Sequence, residues 1–343
     1  MAEPPGAPGV DPGVSDAESI AVLRGSASTR LLQPVRHGGR AVSRSASEAT
    51  DFVVAVADIA ERDGSGGWLA AALNAAAYTV AGLDDTAAER VWGADAAALV
   101  TACAQPAGRL TTGDGEPRLT GRWESVTGAA FADWLLLSAL EGDDEAARES
   151  VRYVLVPRDV VQIDRHVGRR GLATAGIAHV SVSGAIVDAV FAHPGESSRE
   201  NSDFDESRPS CPVVAGAGQA AAVVGAAAGV WRAHVGQVRQ RLATSYGSED
   251  TNELTSSAVL VAKAESDIDA ARLQLVTSLS ADAPTAGTAL CQAVTRARDA
   301  ADQLLSSGSR HALDATDPVA RLWFDVLAGY RLTIRSVQQP AIG

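Results

Sequence analysis

The chain has few aromatic residues, 4% of 343, a single methionine and only three cysteines. Cys103, Cys211 and Cys291 stand too far apart in sequence for any metal-ligand spacing, and an odd number of thiols fits a reducing compartment. Basic residues are also in deficit. Lys and Arg number 29 against 42 Asp and Glu, giving a net charge of −13. Phosphate backbones demand a basic face, so no nucleic-acid partner is expected. The run Arg165 to Arg170 reads as a solvated loop. Uninterrupted apolar runs are short: the one from Ala221 ends at Arg232, so no membrane span is expected. The opening MAEPPGAPGVDPG has neither a basic start nor an apolar run, so residues 1–15 read as a disordered tail rather than a signal peptide, and a cytoplasmic location is expected.

What the chain has in abundance is alanine and glycine, within a 46% apolar composition ample for a large core of close-packed helices. Ser47 can cap a helix carrying Ala49, Phe52, Val53, Val56 and Ile59 at helical spacing. The cluster Asp63 to Gly67 reads as its breaker, and a second apolar segment runs from Trp68 to Tyr78. The middle alternates instead: Leu99–Thr101, Arg118–Trp123, Trp134–Leu140, Val151–Val156 and His179–Val187 read as strands separated by turns. A polar linker follows, and beyond it the helical period returns through Leu254–Leu275, Leu290–Leu304 and Val319–Tyr330, the last opened by an Asp317-Pro318 cap. The expected domains are 16–92 helical, 93–192 β, a linker over 193–211, and a helical bundle over 212–343.

Leu32-Gln33-Pro34 with Gly38-Gly39, then Gly64-Ser65-Gly66-Gly67-Trp68, resembles the N-terminal domain of two-component flavin-dependent monooxygenases built on the acyl-CoA dehydrogenase fold. Three β segments are similar to that family's blocks: LVTACAQPAG from Leu99, LTGRWESVTGAAFADW from Leu119 and GLATAGIAHVSVSGAIV from Gly171. Arg321-Leu322-Trp323-Phe324-Asp325 resembles its final-helix block. The fold this implies is α+β: an N-terminal helical domain, shortened by one or two helices, a central β-barrel-like domain and a C-terminal helical bundle. The cofactor implied is a flavin, FAD or FMN, in a slot between the β domain and the bundle. Thr101, Ala102 and Cys103 would run beside its ring, Trp123, Ser125 and Thr127 would close the other side, and Thr174 and Gly176 would hold its turn.

Several family hydroxyls are absent. Ala102-Cys103, Val126-Thr127 and Ala173-Thr174-Ala175-Gly176-Ile177 replace more polar sequences, so weak flavin binding is expected, each lost donor removing about 0.5–1.5 kcal/mol. The family's two histidines correspond to Ala76 and Leu332, so no catalytic residue is secure. The dehydrogenase branch places a Glu near Thr333, and Glu206 or Asp205 is a weaker candidate base in the linker. Three functions follow from the resemblance. One hydroxylates an aromatic or polycyclic substrate with reduced flavin from a separate reductase. Another oxidises an acyl thioester and passes electrons to an electron-transfer flavoprotein. The third is a catalytically impaired subunit that completes a partner's site. A homo-oligomer, or a heteromer with a related chain, is expected from the small-residue face at Ala215–Gly229.

Overall fold

The computed structural model describes residues 16–111, 115–142, 150–165, 168–192, 208–244, 251–307, 314 and 316–338. Helices α1 (Asp16–Gly25), α2 (Ala46–Ala60), α3 (Gly64–Val80) and α4 (Asp85–Trp92) come first. Seven strands follow: β1 (Val100–Thr111), β2 (Arg118–Val126), β3 (Trp134–Glu141), β4 (Ser150–Pro157), β5 (Gln162–Arg165), β6 (Ala178–Ile186) and β7 (Val190–Ala192). Among the described residues four long helices then follow: α5 (Cys211–Thr244), α6 (Thr251–Ser278), α7 (Ala283–Ser307) and α8 (Pro318–Gln338).

Local chemistry starts α2 two residues and α3 four residues earlier than the sequence expectation. Ser45, not Ser47, caps α2, because Glu48 completes a capping box with it. The glycine cluster does not break the chain into a loop. Asp63 turns it and Gly64 already opens α3, so these glycines form a first helical turn that packs tightly on α2. At the far end the expected cap holds: Asp317 accepts the Val319 N–H at 2.8 Å.

The strands form one sheet in the order β5-β6-β2-β1-β3-β4-β7. All pairings are antiparallel except β1 with β3. The sheet is therefore open, not barrel-like. Its edges, β5 and β7, are only four and three residues long and lie at opposite ends of the order. Curling still gives it an interior, filled by Leu110, Leu119, Trp123, Leu137, Val154 and Val180. Gly108 and Gly121 pair directly across β1 and β2, leaving room for the Trp123 indole, whose N–H donates to Ser138 O at 2.8 Å.

In the helical part α5 is the central element, packed against α2, α3, α7 and α8. Its small residues serve the inside of this chain, which corrects the reason given above for assembly. A side chain at Gly225 would run into the Ala57 carbonyl of α2, so the two backbones touch there. This helix also corrects the hydropathy reading. It is long and apolar enough to cross a membrane, but its most apolar window is 89% buried within the protein.

Candidate functional site

Two loops meet where the sheet faces the helices. One joins β2 to β3, the other precedes β6. The Gly128 N–H donates to Ala175 O and the Ala130 N–H to Gly176 O, both at 3.1 Å, and the Phe131 ring lies on the Gly176 backbone. Ser125 and Leu172 each hold a φ of 55°. Left-handed backbone costs an L-residue roughly 1–2 kcal/mol, so the surroundings must impose it. Leu172 lies in the loop before β6 and Ser125 at the end of β2, where the other loop begins, and strain of this kind concentrates where a fold must present a set surface.

Side chains from each part of the chain fix the loops. Trp68 of α3 donates its indole N–H to Thr127 Oγ1 at 3.0 Å. Thr101 of β1 donates to Thr127 O at 2.5 Å. The Ser125 N–H reaches His179 Nδ1 on β6 at 3.3 Å. From α8, Asp325 Oδ1 accepts the Leu172 N–H at 2.5 Å and the Ser65 hydroxyl at 3.3 Å. Burial pushes the Asp325 carboxyl up to about 6, and the nearby Asp63 carboxylate adds to this, against the Leu172 N–H, Ser65 and Arg321. Burial also raises Asp63 itself.

The residues singled out from the sequence fall into two groups. Ser125, Thr127, Thr174 and Gly176 are half-buried on or beside the paired loops. Thr101 and Trp123 are fully buried, the first under Thr127 and the second inside the sheet. Strand alternation separates Ala102 from Cys103: Ala102 packs towards Val100, Leu136 and Tyr153, whereas Cys103 packs against the sheet interior. Burial holds the Cys103 thiol up at about 11, which makes it a poor nucleophile. The residue as a whole is only partly buried.

Ala76 is fully buried among Trp92, Val100, Leu136 and Tyr153. Leu332 packs part-buried on the separate helical core, so the two positions lie in different clusters. Thr333 is fully buried and donates to Gly329 O at 2.9 Å. Glu206, Asp205, His166, His193 and His311 lie outside the described residues. Asp267 and Asp269 belong to surface ion pairs with Lys263 and Arg272, at 2.8 and 3.6 Å. His37 lies near Trp92, with ring centroids 5.9 Å apart. His234 on α5 is buried, 2% exposed. The arginine run is not simply solvated either: Arg165 donates to Ala130 O at 3.2 Å and lies over the Phe131 ring. A cleft of about 420 Å³ between α2, α5 and α6 includes no residue of the two loops, and Glu61, paired with Arg232 and Arg272, is part of its lining.

Sequence reasoning passed over Asp325 as more than part of a motif. The available signal was its place among Leu322, Val326 and Gly329, a carboxylate on the apolar stripe of α8. Asn74 was passed over in the same way. It is fully buried in α3, accepts the Leu32 N–H at 3.0 Å and donates to Ser28 O at 2.7 Å, tying down the segment that ends in the Gly38-Gly39 turn.

Residues 217–334 match the family model described as acyl-CoA dehydrogenase, C-terminal domain. Over 335 residues the chain is 27% identical to the oxygenase subunit HsaA of a flavin-dependent monooxygenase from Rhodococcus jostii, covering 91% of this chain and 86% of that protein. The crystal structure of 3-HSA hydroxylase from Rhodococcus sp. RHA1 superposes with a TM-score of 0.80 at 25% identity, over 91% of this chain and 84% of that one. Butyryl-CoA dehydrogenase from Megasphaera elsdenii shares the fold, with a TM-score of 0.77 at 15% identity over 95% and 90% of the two chains.

Proposed function

We propose, for a chain that belongs to the acyl-CoA dehydrogenase-fold superfamily in the branch similar to flavin-dependent monooxygenases, the activity of a flavin-dependent oxidoreductase that hydroxylates an aromatic or polycyclic substrate. Reduced flavin would come from a separate reductase, as the oxygenase-subunit relative suggests. The observation that carries this reading is the pair of interlocked loops at the junction of sheet and helices, held by Trp68, Thr101, His179 and Asp325.

The donor set there fits a flavin. Ser125, Thr127 and Thr174 offer half-buried hydroxyls suited to its polar edge or phosphate, beside the α3 residues Leu69 and Leu73 that back the Gly128 turn. Bound reduced flavin would supply the oxygen-activating chemistry. The chain's own residues bind and orient it: Thr127 is braced by Trp68, Ser125 is held by His179, and Cys103 supplies an unionised, apolar flank. With three hydroxyls and no charged group among the residues assigned to it, this site is expected to bind flavin weakly.

The sealed setting of Ala76 favours a second reading, a catalytically impaired subunit that keeps the fold and completes a related partner's site. Titration of the purified protein with FAD and FMN, oxidised and reduced, followed by fluorescence and absorbance, tests the first reading. Product analysis with a phenolic substrate and a flavin reductase then separates the two. Flavin binding with coupled hydroxylation is expected from the first reading. Binding without hydroxylation points to the second. No binding near millimolar flavin overturns the flavin assignment.

A further inference from the structure

Leu172 holds an unfavourable backbone conformation in the middle of the loop before β6. Something must pin it there. Its N–H is taken by Asp325 Oδ1, from a helix more than a hundred residues later in the chain. The packing around this bond leaves little freedom. A side chain at Gly171 would collide with the Phe324 carbonyl, and one at Gly64 would meet Asp325 Cβ at 2.7 Å. The loop backbone, the first turn of α3 and α8 are therefore in direct contact.

The next links are hydrogen bonds already described. Three residues beyond Leu172, Ala175 O accepts from Gly128, and Gly176 O accepts from Ala130. Gly128 follows Thr127, which receives the Trp68 and Thr101 bonds. A displacement of Leu172 is thus passed to the residues bearing the Thr127 and Thr174 hydroxyls. Asp325 touches neither hydroxyl, so its effect on the site is indirect.

We infer that Asp325 is a positioning residue: by accepting the Leu172 N–H and the Ser65 hydroxyl on one oxygen, it locks the two loops into the arrangement that presents Ser125, Thr127 and Thr174. This rests on the flavin reading for its functional consequence, but the lock itself is a property of the flavin-free protein. Both bonds end on Oδ1, so an amide oxygen in the same place serves equally well and a negative charge is not required. The charged and titratable groups facing this carboxyl are Asp63, in the turn before α3, and Arg321, one turn earlier on α8. The polar contacts from the other two elements are Ser65 and the Leu172 N–H.

Asp325→Asn and Asp325→Ala separate the lock from general stability. Hydrogen–deuterium exchange of the flavin-free protein is the primary readout. The alanine variant is expected to speed exchange about tenfold or more in residues 127–132 and 171–177, with α6 and α7 unchanged. The asparagine variant is expected to keep near-native protection. FMN and FAD titration then reads the consequence: a dissociation constant raised about tenfold by alanine, restored by asparagine, and flat in the unaltered chain from pH 5 to 8. Uniform deprotection across all helices in the alanine variant would make Asp325 a general stabiliser and overturn the inference. So would loss of loop protection in the asparagine variant, which would show that charge is needed. If the unaltered chain binds neither flavin, the functional reading fails, and the exchange pattern alone decides the lock.

Discussion

Asp325→Asn should change how stability depends on pH, and the size of that change can be worked out. The carboxyl sits at about 6 in the folded protein against an ordinary value of 3.8, chiefly because it is buried. A carboxyl raised on folding binds its proton more tightly in the native state. Its contribution is therefore fully present below 3.8 and lost as the pH rises through about 6. At pH 8 the group is ionised in both states. At pH 5 it is about 90% protonated in the native state and mostly ionised in the unfolded one, which favours folding by about 1.4 kcal/mol. Asparagine does not titrate and lacks this term. The stability difference, variant minus unaltered protein, should then shift by about 1.4 kcal/mol in favour of the variant between pH 5 and pH 8. Urea denaturation at each pH, with matched m-values, measures it. Only the difference between the proteins is diagnostic, because the other carboxylates titrate in both. Asp63 shifts in the same direction beside Asp325, so Asp63→Asn should produce a slope of the same sign. Parallel curves for the two proteins would show that the Asp325 carboxyl is solvated, and would refute the burial argument.

Four further outcomes are expected. Ala76→His places an imidazole among Trp92, Val100, Leu136 and Tyr153, and should lower stability by a few kcal/mol in thermal or urea melts without creating hydroxylation, even when paired with Leu332→His. Coupled hydroxylation gained by the pair would instead put both positions at the flavin. Thr127→Val leaves the Trp68 indole N–H without its acceptor and should cost about 1–3 kcal/mol, with weaker flavin binding in fluorescence titration. Gly225→Val drives a side chain into the Ala57 carbonyl and should leave little soluble, cooperatively melting protein on expression, whereas Gly236→Ala, with open space around it, should be near neutral. Finally, Val259, Leu273 and Val276 are 65%, 69% and 38% exposed along α6, so light scattering should find an assembly of two or more chains, and a monomer at micromolar concentration would count against it.

The order of elements and the identity of most core faces were legible in the sequence, because each is a local pattern. The helical spacing of Leu290, Ala293, Val294, Ala297, Ala301 and Leu304 gives the buried face of α7 directly. The alternation around Val180 and Val182 places β6, and Asp317-Pro318 starts α8 where its cap does. Gly38-Gly39 and the block around Trp123 carried the resemblance for the same reason: turns and close packing constrain residue types at short range. Three decisions belonged to the tertiary structure. The sheet is open, with β5 and β7 at its two edges, and no strand's own sequence states which neighbour it will have. The small residues of α5 could have met another chain, and it is the approach of α2 and α3 that commits them to the interior. Above all, Leu172, Ser65 and Asp325 are far apart in sequence, and nothing local to any of them announces the others. Folding brings one carboxylate oxygen within reach of a strained loop amide and a helix's first turn, and burial then moves its proton affinity towards neutrality.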